Sequence, residues 1–406
     1  MINHKPISKK NIFKILKNLK KFNLKTEWHN LNQSNELIIA QDIISKINLP
    51  PFNNSAVDGY AILNKDIKKN KELFYNRRVA AGDNIKLKIK KGEAIRIFTG
   101  AKMPLNSNTV VMQENTKTNN NKVLIKKAPK IGSNCRIMGE DIKKNTIILK
   151  KGTKINTTNI NLIAAIGIKK IKVYNKIIIG YFTSGNELKK TNNKIKGSEI
   201  YNSNYYSLKN LLNTNSIKSI YCGNLKDKEK IIEEKLKKNS KKFNLIITAG
   251  GASVGEEDHL INVINKIGNI IFWKAAIKPG RPIAIGKINN CYIVCLPGNP
   301  VSVQLLYALI VNPFINYLSG GDFLIPKPEK IKVNFKMTKK TKRMEWLRVL
   351  KKLQNTEYVA EKYPKQGSGM ISSMAYADGI IEIPESVSKI NVGDIYNYYD
   401  FKILFS

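Results

Sequence analysis

The sequence predicts a multidomain α/β protein whose central unit is a doubly wound, mostly parallel sheet. Three observations lead there. Between Val173 and about Leu318, apolar runs alternate with helical patterns: KIIIGYF, SLKNLLN, IKSIYC, KEKIIEEKLKK, FNLIITA, HLINVINKIG, IIFWKA, PIAIG, YIVCL and VSVQLLYALIVNPFINYL. Continuous apolar strands alternating with helices fit a sheet covered on both faces. Three of these runs end in Gly/Pro turns, TAGGASVGEED, KAAIKPGRP and LPGNP, which hold most of the local charge. Strand tips of this kind are where open α/β sheets bind anionic ligands. Finally, 406 residues exceed what one core organises, so two to four domains are expected.

The elements before and after this unit differ in character. Residues 7–22 space Ile12, Phe13, Ile15, Leu16, Leu19 and Phe22 for a helix with lysines opposite, and 36–46 (ELIIAQDIISK) predicts a second helix stopped at Leu49-Pro50-Pro51. From Phe52 to about Val123, short strands between turns (YAIL, ELFYNRRVAAGD, EAIRIFTGA, TVVMQEN) make a β-rich module. TNINLIAAIGIK predicts a helix capped by Thr157 or Thr158. The β-rich module is therefore an insertion. We expect residues 1–50 and 141–173 to form one split, elongated α+β domain, 51–140 the inserted module, and 174–325 the α/β domain. Residues 326–406 (KIKVNFKM, RMEWLRVL, EYVAEKY, DGIIEIP, DIYNYY) read as a C-terminal β-barrel or sandwich.

Composition narrows the function class. A hydrophobic fraction of 42% with 17 Tyr, 13 Phe and 3 Trp supports packed cores. No uninterrupted apolar run reaches the roughly 18 residues of a membrane span, and the start lacks a secretory apolar segment. These features predict a cytoplasmic protein without a membrane partner. Four cysteines (Cys135, Cys222, Cys291, Cys295) and three histidines (His4, His29, His259) give neither a disulfide framework nor a zinc pattern. The net charge of +40 would suit nucleic acid. The lysines are spread over the whole chain, however, which reads as compositional drift, and nucleic acid is not an expected partner.

Five constellations carry chemistry. In Thr248–Asp258, Gly250 and Gly251 permit positive φ and close backbone approach to a phosphate, and Asp258 precedes a helix. Gly251–Gly255, centred on Ser253, also matches the G-x-S-x-G nucleophile pattern. His259 follows too closely for a Ser…Asp…His order, so a hydrolase is set aside. Lys274, Lys278 and Arg281 crowd a Pro/Gly-fixed junction and suit a tetrahedral oxyanion. Pro297, Gly298, Asn299 and Pro300 make a turn entering an apolar helix. TSGNEL, with Ser184 and Glu187, and IYNSN, with Asn202 and Asn204, fall at crevice positions. Asp58, Thr99 and Asp141 sit beside glycines on loops outside the α/β unit.

Taken in order, SAVDGYA, RIFTGAKMP, GEDI, TSGNEL, IYNSN, GGASVGEED, KAAIKPGRP and LPGNP resemble the molybdopterin molybdenumtransferase family over nearly the whole chain. This is the molybdenum-insertion protein of molybdenum cofactor synthesis, related to the E domain of gephyrin. The resemblance implies a molybdopterin adenylyltransferase-like α/β domain and a homodimer with each active site shared between subunits. It implies a reaction in which adenylylated molybdopterin and molybdate give AMP and molybdenum on the dithiolene, assisted by Mg²⁺. By motif, Asp58 and Thr99 would face the site from the inserted module, supported by Asp141. Glu187, Asp227 and Asp258 would bind Mg²⁺ or the nucleotide side, with Asp227 matched by spacing alone. Lys274, Lys278 and Arg281 would bind molybdate or phosphate, while Ser184, Gly250, Gly251, Ser253 and Pro297–Pro300 would line the substrate pocket.

Departures from the family pattern are Ser184 and Asn186 in its Thr-Gly-Asp-Glu, Asn202 for Asp, Arg281 for Lys, and Ala249-Gly-Gly-Ala252 for Ser-Gly-Gly-Val. Two carboxylates thus become amides, which lowers the charge offered to Mg²⁺; in so Asn-rich a chain this does not imply an inactive enzyme. Two alternatives stand beside the insertion enzyme: a molybdopterin adenylyltransferase, and a non-catalytic molybdopterin-binding scaffold.

Overall fold

The computed structural model describes residues 5–67, 72–84, 86–251 and 259–405. Its centre is a six-stranded sheet, whose strands we number in chain order: β1 (Ile177–Ser184), β2 (Ile217–Leu225), β3 (Leu245–Ala249), β4 (Asn269–Trp273), β5 (Ala284–Ile288) and β6 (Cys291–Leu296). The spatial order is β2-β1-β3-β6-β5-β4. The pairs β1/β2, β1/β3 and β3/β6 are parallel, while β5 and β4 add an antiparallel edge. The chain reverses its winding about β1, so the crevice rule puts a ligand beyond the ends of β1 and β3.

Helices cover both faces, which is why the strands read as unbroken apolar runs. On one face Ile12 and Leu16 of the helix Lys9–Lys17, Leu208 of the helix Ser203–Leu211 and the long segment Pro300–Leu318 pack against Ile177, Ile179, Ile247 and Val294. On the other, Ile232 and Leu236 of Glu229–Ser240 and Leu260 and Ile264 of His259–Ile267 pack on Phe182, Ile246 and Ile293. The first helix thus docks on the α/β sheet, although the boundary drawn at residue 50 groups it with the split domain. Pro300–Leu318 is long and apolar enough to cross a membrane, but 78% of its apolar stretch is buried inside the protein. It is a core helix. Its Tyr307–Val311 turn widens to π geometry just before Pro313, whose ring cannot sit against the preceding turn and which offers no N–H.

Before the sheet, the chain leaves and re-enters one unit. Thr26–Asn30 pairs antiparallel with Lys170–Tyr174, Ile43–Ile44 with Ile147–Leu149, and Leu49 bridges Ile142. Between these returns lie a four-stranded sheet (Arg78–Val79, Ala94–Ile97, Gly59–Ile62, Thr109–Met112) and a three-stranded one (Glu72–Phe74, Lys122–Ile125, Thr116–Asn119). The helix expected over 36–46 does not form. Ile38 and Ile39 instead bridge Lys154 and Val173, and Asp42 accepts a 2.7 Å bond from the Lys151 N–H. Apolar residues at helical spacing are spent there on pairing with a distant strand. The helix Thr157–Ala165 is present, but its cap is Asn156, in a reciprocal box with Asn159, rather than a threonine.

The C-terminal region closes into a barrel. Met344–Gln354, Glu357–Lys362, Glu329–Val333, Ile395–Asp400 and Gly379–Ile383 pair in turn, and the last returns to the first. Leu347, Val349, Ile381 and Tyr398 fill it. One further pairing decides the site: Ile277–Lys278, from the loop after β4, runs parallel to Met344–Glu345 and stitches the barrel to the α/β domain.

Candidate active site

The tips of β1, β3 and β6 converge. Gly250, at φ +100°, lies against the carbonyl of Ser184, where a side chain would collide. Its N–H donates to Leu296 O at 3.0 Å, tying β3 to β6. Gly251 leaves Ser184 Oγ 3.1 Å from where its Cβ would stand. Ser184 Oγ donates to Asp227 Oδ1 at 3.2 Å, so Asp227, implied by the resemblance with a match in spacing alone, stands at the end of β2 beside the crevice. The exposed Glu187 folds its carboxylate back over Gly185. Gly298 approaches Gly250 and its carbonyl accepts from Asn204 Nδ2 at 2.7 Å. The structure therefore brings Ser184, Glu187, Asp227, Gly250, Gly251 and Gly298 together. Ser253 and Asp258 lie outside the described residues, as does most of the G-x-S-x-G run. Among the described residues no group of three His, Cys, Asp or Glu is spaced to hold a metal.

Asn202, a departure from the pattern that the resemblance implies, is committed to structure. Its Oδ1 caps the helix Ser203–Leu211 at the Tyr205 N–H (3.1 Å), and its Nδ2 donates to Thr183 Oγ1 at 2.9 Å. A carboxylate cannot make the second bond as a donor.

Beside the crevice, a cavity of about 240 Å³ opens on the seam between the α/β domain and the barrel. Lys278, Arg281, Pro297 and Asn299 line it from one side, Arg343, Glu345, Arg348 and Ser368 from the other. Lys278 Nζ meets Glu345 Oε2 at 3.2 Å. Arg348 is only 1% exposed. Its guanidinium donates to Ser373 Oγ, Trp346 O and Gly367 O, all at 3.2 Å and all neutral. Burial pulls its pKa down to about 10, because the charged form lacks water and, among these partners, a counter-ion. Such a group gains from an incoming anion.

The three cations expected at the KAAIKPGRP turn do not all converge. Lys278 and Arg281 line the cavity, whereas Lys274, at φ +71°, sets its ammonium over the Trp273 ring at 3.9 Å. Pro300 occupies the first turn of its helix, where its missing N–H costs nothing. The barrel's contribution was missed from sequence. The available signal was Arg343, Glu345 and Arg348 interrupting an apolar strand, RMEWLRVL.

Asp58 and Thr99 form a pair of their own on the inserted module. Asp58 Oδ1 accepts from both the N–H and Oγ1 of Thr99 at 2.7 Å, and these bonds hold its carboxyl below the ordinary range. Gly59 is required behind it, since a Cβ there would strike the Val111 carbonyl. Among the described residues no hydrogen bond joins this pair to the strand tips or the cavity of its own chain. Asp141 is exposed, in the turn where its N–H meets Leu49 O at 3.1 Å.

Three family models cover the chain: the MoeA N-terminal region (domains I and II) over residues 7–167, a probable molybdopterin binding domain over 180–317, and the MoeA C-terminal region (domain IV) over 330–401. The molybdopterin molybdenumtransferase of Haemophilus influenzae is 36% identical over 300 residues, 74% of this chain and 74% of that protein. A putative molybdopterin biosynthesis protein of Methanocaldococcus jannaschii is 32% identical over 377 residues, 90% of this chain and 89% of its own. A crystal structure of the molybdopterin biosynthesis MoeA protein of Pyrococcus horikoshii superposes with a TM-score of 0.81 at 27% identity, covering 97% of this chain and 100% of that one. With domain order, strand-tip crevice and relatives in agreement, the chain belongs to the MoeA family, that of the molybdopterin molybdenumtransferases.

Proposed function

We propose that this protein inserts molybdenum into adenylylated molybdopterin, consuming molybdate and releasing AMP, as a cytoplasmic homodimer in molybdenum cofactor biosynthesis. The observation that carries the reading is the Arg348 guanidinium, buried among neutral acceptors in a cavity it shares with Lys278, Arg281 and Arg343. A tetrahedral dianion supplies the missing negative charge, and Arg offers a planar fork matched to oxyanions. The crevice next door takes the nucleotide-capped pterin. Bare backbone at Gly250 and Gly251 admits a phosphate close to Ser184. Asn204 fixes the Gly298 carbonyl, and so the turn that separates crevice from cavity.

Mg²⁺ fits this crevice by donor chemistry. Glu187 and Asp227 offer carboxylate oxygens at neighbouring turns, and a hard cation of this kind needs one or two carboxylates plus substrate phosphates. Asp258 would be the third. When bound there, Mg²⁺ supplies positive charge against the phosphates. Asp58, locked and ionised by Thr99, would complete the site from the twin protomer.

The test is product analysis with purified protein. Adenylylated molybdopterin with molybdate should yield AMP and molybdenum-loaded cofactor. Pyrophosphate release from molybdopterin and Mg-ATP would instead support the adenylyltransferase, and binding without either product the scaffold.

A further inference from the structure

Glu345 is a carboxylate set into a cavity built for an anion. It is 4% exposed and is the acidic residue among the described cavity lining. Its position is fixed by the backbone: Lys278 and Glu345 are register partners where the α/β domain joins the barrel, and their side chains meet at 3.2 Å. Lys339 interacts electrostatically with Glu345, Glu385, Lys278 and Arg343, and Arg281, Arg343 and Arg348 line the same cavity as Glu345. A buried carboxylate opposes a second anion by like-charge repulsion, which grows in proportion to the ligand's charge. At about 4 Å and an effective dielectric of about 60, between the 20 of a protein surface and the 80 of water, this is worth roughly tenfold in affinity per unit of ligand charge.

We propose that Glu345 determines the charge specificity of the cavity, weakening the binding of a tetrahedral dianion more than that of a monoanion and so keeping molybdate exchangeable. This rests on the cavity being the oxyanion site. The chemistry gives the device a use. An oxyanion that must leave for a dithiolene gains no rate from extra ground-state affinity, because binding that substrate and transition state share equally does not lower the barrier between them.

The experiment is calorimetric titration of the whole protein with sodium molybdate and with sodium perrhenate, a tetrahedral monoanion. Glu345→Gln keeps the side chain's shape and its acceptor for Lys278 while removing the charge. Molybdate should then bind about a hundredfold tighter and perrhenate about tenfold, the square root of that factor. Equal changes for the two ions, or weaker molybdate binding, overturn the proposal, since a packing role would move both alike. Glu345→Asp retains the charge and guards against misfolding: its molybdate-to-perrhenate ratio should stay at the wild-type value, and a ratio shifted as in the Gln variant overturns the assignment. Failure of the cavity reading is seen separately. Wild-type protein that binds no molybdate, or an Arg348→Ala variant that binds it as well as wild type, removes the oxyanion site and this inference with it.

Discussion

Arg348 and Asp58 hold their charges in opposite ways. Arg348 is buried with hydroxyl and carbonyl partners only, so its charge is stabilised less than it would be in water. Arg348→Ala should raise the molybdate concentration for half-maximal AMP release by roughly 10- to 100-fold, the value of a charge-assisted hydrogen-bond set of about 1.5–3 kcal/mol. Half-saturation at the wild-type concentration would remove Arg348 from the site. Asp58 is held charged by two Thr99 donors, which lower its pKa from the ordinary 3.8. A depressed carboxyl contributes stability above its unfolded pKa and loses it as pH falls through the lower, folded one. Thr99→Val removes the hydroxyl donor, so Asp58 should titrate at higher pH in a carboxyl-resolved NMR experiment. A fall, or no change, would contradict that cause.

At the level of elements, turns and caps set where these residues stand. Gly250 lets β3 end against the Ser184 carbonyl at φ +100°, a conformation and a contact that both exclude a side chain. Gly250→Ala should lower stability by more than about 1 kcal/mol through strain at positive φ. It should also weaken nucleotide binding, which follows from displacement of the β1 tip. Thermal melting and AMP titration measure the two. Asn156 closes a capping box with Asn159 far from the crevice. Asn156→Ala should therefore cost about 1 kcal/mol of stability with turnover unchanged. A drop in turnover at matched folded fraction would mean that the split domain reports to the site.

For the whole molecule, the open question is who meets Asp58. Its partners within the chain are on its own module, while the cavity and the crevice belong to the α/β domain and the barrel. A two-fold dimer offers a second copy of each. Asp58→Ala alone and Lys278→Ala alone should be inactive yet folded. Mixed by unfolding and refolding together, they should recover about a quarter of wild-type AMP release, since half the dimers are mixed and each has one intact site. No recovery would place Asp58 and Lys278 in the same-chain site or in none.

Local pattern made much of this readable. The α/β strands, the Gly-Gly and Pro-Gly turns and the barrel strands each carry their period and punctuation in a few adjacent residues, and these single out Ser184, Glu187 and Gly250, which stand at the crevice, and Lys278, which lines the cavity. Residues 36–46 misled because their apolar spacing also suits pairing with residues 150 and beyond, and only the returning strand decides between the two. Lys274 was grouped with Lys278 by proximity in sequence; its neighbour Trp273 holds it elsewhere. Glu345 and Arg348 were overlooked because they come from a strand about 65 residues downstream of the turn they face. The sequence by itself determined most of the elements, their order and the residue types at the strand tips, since these follow from short-range backbone preferences and residue type. Only the tertiary structure decided which charges share the cavity, because that depends on the pairing of Lys278 with Glu345 across two domains.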